Sequence, residues 1–173
     1  MPPETYYDML SFKPPHQPGN DTLQGKMRIF LGGSIENGKA RDWQTELTDF
    51  LQGYNVAIFN PRRDDWDATL QQSIENATFR QQVQWEINNI LSAHLVIFYI
   101  QSGTYSPITL YELGLVTLEA HKKNKQVIVC CEKGFWREGN VDVVCDMFGI
   151  NSVKTMEGLK QEILNQIASF TIV

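Results

Sequence analysis

Short apolar runs alternate along this chain with longer stretches in which apolar residues recur every three or four positions. Met27 to Leu31, Val56 to Phe59, Leu95 to Ile100 and Gln126 to Cys131 are brief and rich in β-branched and aromatic side chains, the pattern of buried strands. Between the first two, Trp43, Leu47, Phe50 and Leu51 fall at i, i+4, i+7 and i+8, so a helix is expected there, ending at Gly53. Phe79, Val83, Ile87, Ile90 and Leu91 predict the apolar face of a long helix over 71–93. Leu113, Leu115, Val116, Leu118 and Ala120 read as a buried helix, and Val141 to Met147 as a shorter one. Ser152 to Lys154 makes a fifth strand, and Leu159, Ile163, Ile167 and Phe170 face a last helix. The alternation predicts an α/β doubly wound, mainly parallel five-stranded sheet of order 2-1-3-4-5, with helices on both faces.

Residues 1–25 break this rhythm. Pro2, Pro3, Pro14, Pro15 and Pro18 predict an extended arm outside the core, carrying Tyr6, Tyr7, Met9, Leu10 and Phe12 as a sticky patch. The folded domain is then expected over residues 26–173. A patch of that kind, free to pack on a second copy, suggests a homo-oligomer.

The net charge of -5 argues against a nucleic-acid polymer as partner, while leaving room for a small anionic ligand held by a few cations. No apolar run approaches the roughly 18 residues of a membrane span, and the N-terminus has no signal-like apolar core. No membrane partner is expected. Cys130, Cys131 and Cys145 are odd in number and two are adjacent, which suits reduced, buried thiols and a cytoplasmic location.

Several chemistries fail on particular residues. Gly33 to Lys39 fits G-x-x-x-x-G-K, but Ala40 lacks the magnesium-binding hydroxyl and Glu36 sets a negative charge where phosphate would lie. No G-x-G-x-x-G supports a dinucleotide, so no cofactor is expected. His16, His94 and His121 are scattered, and Asp64, Asp65 and Asp67 have Arg62 and Arg63 beside them for internal salt bridges, so no metal is expected. Gly32 and Gly33 would let a ligand approach the backbone, next to Ser34, which on a plainer reading is only a helix N-cap.

Carboxylates remain. Glu112 follows a strand and a short polar loop and sits among apolar neighbours, where an unpaired charge is expensive. A glutamate near a helix start also interacts favourably with the dipole, so spacing alone leaves both readings open. Glu86, beside Trp85, lies one position off the apolar stripe, where a solvated helix face is the plainer reading. Two acids brought to one pocket would suit cleavage of a glycosidic bond, one ionised and one carrying the proton for the leaving group.

Four segments in order, Ile29-Phe30-Leu31-Gly32-Gly33-Ser34-Ile35, Asn60-Pro61-Arg62-Arg63-Asp64-Asp65-Trp66, Gln82-Val83-Gln84-Trp85-Glu86 and Ser106-Pro107-Ile108-Thr109-Leu110-Tyr111-Glu112-Leu113-Gly114, resemble the nucleoside 2-deoxyribosyltransferase superfamily, in its deoxyribosyltransferase-like branch. The resemblance covers about residues 27–150. It implies a flavodoxin-like fold, a nucleoside or nucleotide substrate and an N-glycosidic reaction through a glutamate nucleophile, Glu112. It places Glu86 where these transferases have an aspartate contacting sugar or base. Phe30, Gly32, Gly33 and Ser34 match the ligand-facing first loop, and Arg62 and Asp65 are the candidates from the second segment. Asn140 is the candidate for an asparagine lent by a neighbouring subunit. Ser106 stands where the transferases carry an aspartate and resembles instead the deoxynucleoside 5′-monophosphate N-hydrolases, yet Glu36 replaces the arginine of those hydrolases. Base exchange, hydrolysis of a nucleoside monophosphate and a non-catalytic nucleotide-derivative-binding module are thus the three readings.

Overall fold

The computed structural model describes residues 5–123 and 125–170; Pro2, Pro3 and the side chain of His121 lie outside the described residues. Six parallel strands form one sheet: β1 (Leu10–Phe12), β2 (Met27–Gly33), β3 (Val56–Phe59), β4 (Leu95–Ile100), β5 (Gln126–Cys131) and β6 (Asn151–Val153), in the order β1-β3-β2-β4-β5-β6. The five strands expected from the pattern keep the order expected of them. The sixth comes from the N-terminal arm, a correction to the count of five. Leu10 to Phe12 pair with Ala57 to Phe59 because β3 leaves an open edge and Phe12 finds Phe59 across it, ring centroids 5.6 Å apart. Beyond β1 the arm continues to Trp85, whose indole donates to the His16 carbonyl at 2.9 Å. The expectation of an arm outside the core fails for this segment.

The helices are α1 (Trp43–Phe50), α2 (Ala77–Ser92), α3 (Pro107–Lys123), α4 (Glu138–Phe148) and α5 (Met156–Ser169). Strand residues alternate between two core layers. Ile29, Leu31, Ile97 and Tyr99 pack with Trp43 and Leu47 of α1 and Leu159 and Ile163 of α5. Phe30, Val96 and Phe98 pack with Trp85 of α2, Leu113 and Val116 of α3 and Val141 of α4. From β2 the chain turns one way to β3 and then crosses back to β4, so the connections diverge between β2 and β4. Ligands of open α/β sheets lie at the carboxyl end of such a switch point.

Two helix starts differ from expectation. Asp42, not Ser34, caps α1, its carboxylate accepting from Thr45 N at 3.1 Å. Asn76 caps α2 on Phe79 N, so this helix begins after residues 71–76. The inward face of α2 also differs. Gln82, Trp85, Asn89 and Ile90 are buried, whereas Phe79, Val83 and Ile87 are only half-buried and Leu91 is exposed. A helix that turns glutamine and asparagine inward has polar groups to satisfy or to use.

Candidate active site

Gly33 ends β2 with φ +147°, and an added Cβ would fall on the Tyr99 carbonyl oxygen and within 2.8 Å of the Trp43 ring. A Cβ on Gly32 would meet the Phe98 ring at 2.8 Å. Both glycines therefore serve the close approach of β2 to β4 itself, and Phe30 is fully buried against Trp85. Ser34 follows, its amide bonded to the Tyr99 carbonyl at 2.9 Å.

The hydroxyl of Ser34 is 2.6 Å from that of Ser106 and 3.0 Å from that of Thr104, and Ser106 and Thr104 are 2.8 Å apart. All three residues are buried. Gln101 N donates to Ser34 Oγ at 2.9 Å, and Thr104 Oγ1 donates to the Gln101 carbonyl at 2.8 Å. With one hydrogen per hydroxyl, the run from Gln101 N through Ser34, Ser106 and Thr104 back to Gln101 O uses all three. This cycle ties the loop after β2 to the loop after β4.

Glu36 completes the tie. Its Oε1 accepts from Ser106 N at 2.7 Å and Tyr105 N at 3.1 Å, just ahead of α3. Ser106 is held at φ +47°, a left-handed conformation uncommon for serine, and Pro107 opens the helix after it. A carboxylate of the chain thus stands at the amide end of α3, where the dipole favours an anion.

Arg62 is also engaged internally. Its guanidinium donates to the carbonyls of Gly38, Ala40 and Arg41 and lies 3.4 Å from Gln44 Oε1, bracing the loop that presents Glu36. Asp65 is exposed and paired with Arg63 at 2.8 Å, which holds its carboxyl below the usual range. Asn140 is exposed on α4, in an open groove of about 340 Å³ shared with Leu110, Leu113, Gly114, Trp136 and Val144. Arg62 and Asp65 are thus occupied by partners within the chain, and Asn140 faces the open groove between α3 and α4.

The carboxylates of Glu112 and Glu86 lie within electrostatic reach of each other. Glu112, in the second turn of α3, is 6% exposed and has no side-chain hydrogen bond among the described residues. Glu86 of α2 is half-buried and accepts from Gln82 Nε2 at 2.8 Å. Burial pushes Glu86 up to about 7, against the Gln82 bond that favours its charged form. Burial, and then the charge of Glu86, push Glu112 up to about 8. Both carboxyls are thus raised above their ordinary range. Among the described residues one hydrogen bond, from Gln82, offsets the desolvation of the pair, which therefore resists carrying two charges at once. Gln82 was absent from the sequence-based candidates. Only its place one helical turn before Glu86 hinted at it.

Among the described residues no cluster of three His, Cys, Asp or Glu could hold a metal ion, and no helix is long and apolar enough to cross a membrane. All three cysteines are buried and free.

No curated protein matches this sequence. Among solved structures, a conserved protein from Enterococcus faecalis V583 is similar at a TM-score of 0.58 and 13% identity, over 82% of this chain and 99% of that one, which shows a shared fold. A family model described as nucleoside 2-deoxyribosyltransferase like matches residues 26–135, from the start of β2 past the end of β5 and across both glutamates. The chain belongs to the nucleoside 2-deoxyribosyltransferase-like family.

Proposed function

We propose that this protein cleaves or exchanges the bond between base and (deoxy)ribose of a nucleoside, with Glu112 as nucleophile and Glu86 as the acid and base. What supports the reading is that Glu112, buried on α3 without a side-chain hydrogen bond among the described residues, feels the charge of Glu86 on α2. The Glu112 carboxylate attacks the anomeric carbon and the C–N bond breaks. The bonding electrons go to the base nitrogen, which takes the proton of Glu86. A glycosyl ester on Glu112 remains, and a second base or water displaces it while returning a proton to Glu86. The proton belongs to the pair, and positive charge growing on the sugar beside Glu112 favours the ionised form of Glu112 and the protonated form of Glu86.

A nucleoside fits better than its 5′-monophosphate. The three hydroxyl hydrogens of Ser34, Thr104 and Ser106 are spent on one another and on Gln101, and the amides of Tyr105 and Ser106 are spent on Glu36. A phosphate there would meet a carboxylate in place of free donors. Incubation with a deoxynucleoside and a second free base, followed by chromatography, tests the reading. A new nucleoside signifies exchange and free base alone signifies hydrolysis. Neither product, with the nucleoside still bound, would overturn catalysis in favour of a binding module.

The same reading includes a homo-oligomer through the outer face of α3 and α4. Ile108, Tyr111, Leu115 and Leu118 line α3 at i, i+3, i+7 and i+10, and Trp136, Val143 and Met147 stand near or on α4, all about half exposed or more. Together they expose on the order of the ~800 Å² per partner of a standard interface. Gly114 lies among them with open space above it, which allows a facing helix to come close. Asn140 on this face would then serve a neighbour's site. Leu118→Glu combined with Met147→Glu should reduce the mass seen by light scattering to that of one chain. An unchanged oligomeric mass would refute this face.

A further inference from the structure

The side-chain amide of Gln82 is half used. It is buried on the inner face of α2, one turn before Glu86. Its Nε2 donates one hydrogen to the Pro61 carbonyl at 3.1 Å and the other to Glu86 Oε1 at 2.8 Å. These acceptors fix its orientation, because turning the amide over would set its oxygen against the Pro61 carbonyl, which has no hydrogen to give. Oε1 is left buried with no hydrogen-bond partner among the described residues. An unmet acceptor costs stability, and an apolar side chain of similar shape would avoid that cost. The cost falls beside the carboxyl pair, where a bound ligand would supply a donor.

We propose that Gln82 Oε1 reads the ligand: it accepts a hydrogen bond from a donor of the bound nucleoside, a sugar hydroxyl or an exocyclic amino group of the base, while Nε2 holds Glu86 in place. The inference rests on the nucleoside reading above and makes Gln82 a specificity-determining residue. A site built around a buried acceptor rejects an analogue lacking the matching donor far more strongly than an apolar pocket rejects a missing methylene.

The test is isothermal titration of the full chain and of Gln82→Met with 2′-deoxyadenosine and three analogues, lacking in turn the 3′-hydroxyl, the 5′-hydroxyl and the exocyclic amine. The wild type should bind one of the three analogues roughly tenfold to a hundredfold more weakly than the parent. The identity of that analogue tells sugar from base. Gln82→Met should bind that analogue and the parent alike. If Gln82→Met does not fold, Gln82→Asn, which withdraws the carbonyl by one methylene, should erase the same difference. A variant that weakens all four ligands by one common factor would overturn the inference and leave the nucleoside reading standing, as would a wild type that tells none of the analogues apart. A wild type that binds no nucleoside would overturn both.

Discussion

Two sets of carboxylates stand at the carboxyl edge of one sheet, and their surroundings are opposite. Glu132, just past β5, lies beside the core layer under α1 and α5. It accepts from the Tyr99 hydroxyl and from the amide and hydroxyl of Ser102 at 2.9 and 3.0 Å, and Arg41 donates to the Tyr99 hydroxyl at 2.8 Å. Burial alone would raise its pKa; these donors and the Arg41 charge outweigh burial and lower it. Glu36 is likewise satisfied, by two backbone amides. Glu86 and Glu112, on the other face, have one hydrogen bond between them among the described residues, and both are raised. Glu112 is also more deeply buried than the half-buried Glu36 and Glu132. Depth of burial and supply of donors together separate an acid that braces the fold from an acid left able to exchange a proton.

The sharpest way to break this comparison is to neutralise one acid from each set. Glu112→Gln keeps shape but cannot form the ester, so turnover should fall by more than about 10³-fold while nucleoside binding persists. Glu86→Gln should lose roughly 10²–10⁴-fold, and least with bases that leave easily. Glu132→Gln should stay within about tenfold of wild type and instead lose stability, on the order of 1–3 kcal/mol, by replacing a charge whose donors stay behind. Chromatographic turnover and chemical denaturation of the three variants, side by side, measure both. If Glu132→Gln lost as much turnover as Glu112→Gln, the division between bracing and reacting acids would collapse.

The effect of pH on stability sharpens it further. Both acids of the pair titrate in the folded protein above their ordinary 4.5, so between about 4.5 and 8 the folded state holds more protons than the unfolded state. Their contribution is therefore most favourable at low pH and is lost as pH rises through that window, levelling off above about 8. Glu112→Gln removes the penalty. It should be more stable than wild type at pH 8 by about 1–3 kcal/mol and no more stable at pH 5, as read from denaturation midpoints. A variant less stable than wild type at both values would mean that Glu112 is held by contacts its burial does not reveal.

The smallest effect expected is in the pH profile of turnover. Attack needs one ionised and one protonated acid, so activity should be bell-shaped, with limbs that belong to the pair rather than to either residue. The maximum should lie between about 7 and 8, where the pair holds one proton. A flat profile across that range would remove the paired-acid mechanism.

The run of apolar segments was enough to write the sheet order of five strands, because burying both faces of a parallel sheet imposes a pattern that periodicity records directly. The glycine pair that ends β2 marked a close approach, although to β4 rather than to a ligand, and Glu112 was legible as a charge among apolar neighbours. The inward face of α2 was not legible. Its apolar stripe of Phe79, Val83 and Ile87 is half-buried, while Gln82 and Asn89 are buried, and hydrophobic periodicity has no means of marking a polar face that is buried.

By itself, then, the sequence determined the order of elements, the switch point between β2 and β4, and the residue types that reach it. Tertiary structure alone decided what each of those residues does. Arg62 is consumed by the loop of Glu36, Ser34 and Ser106 by each other, and Leu10 to Phe12 by the open edge of β3, whereas Glu112 is left with another acid for company. The physical reason is that these hydrogen bonds and the desolvation around them are set by partners far along the chain, 22 residues for Arg62 to Ala40 and 72 for Ser34 to Ser106, and local pattern carries no information about them.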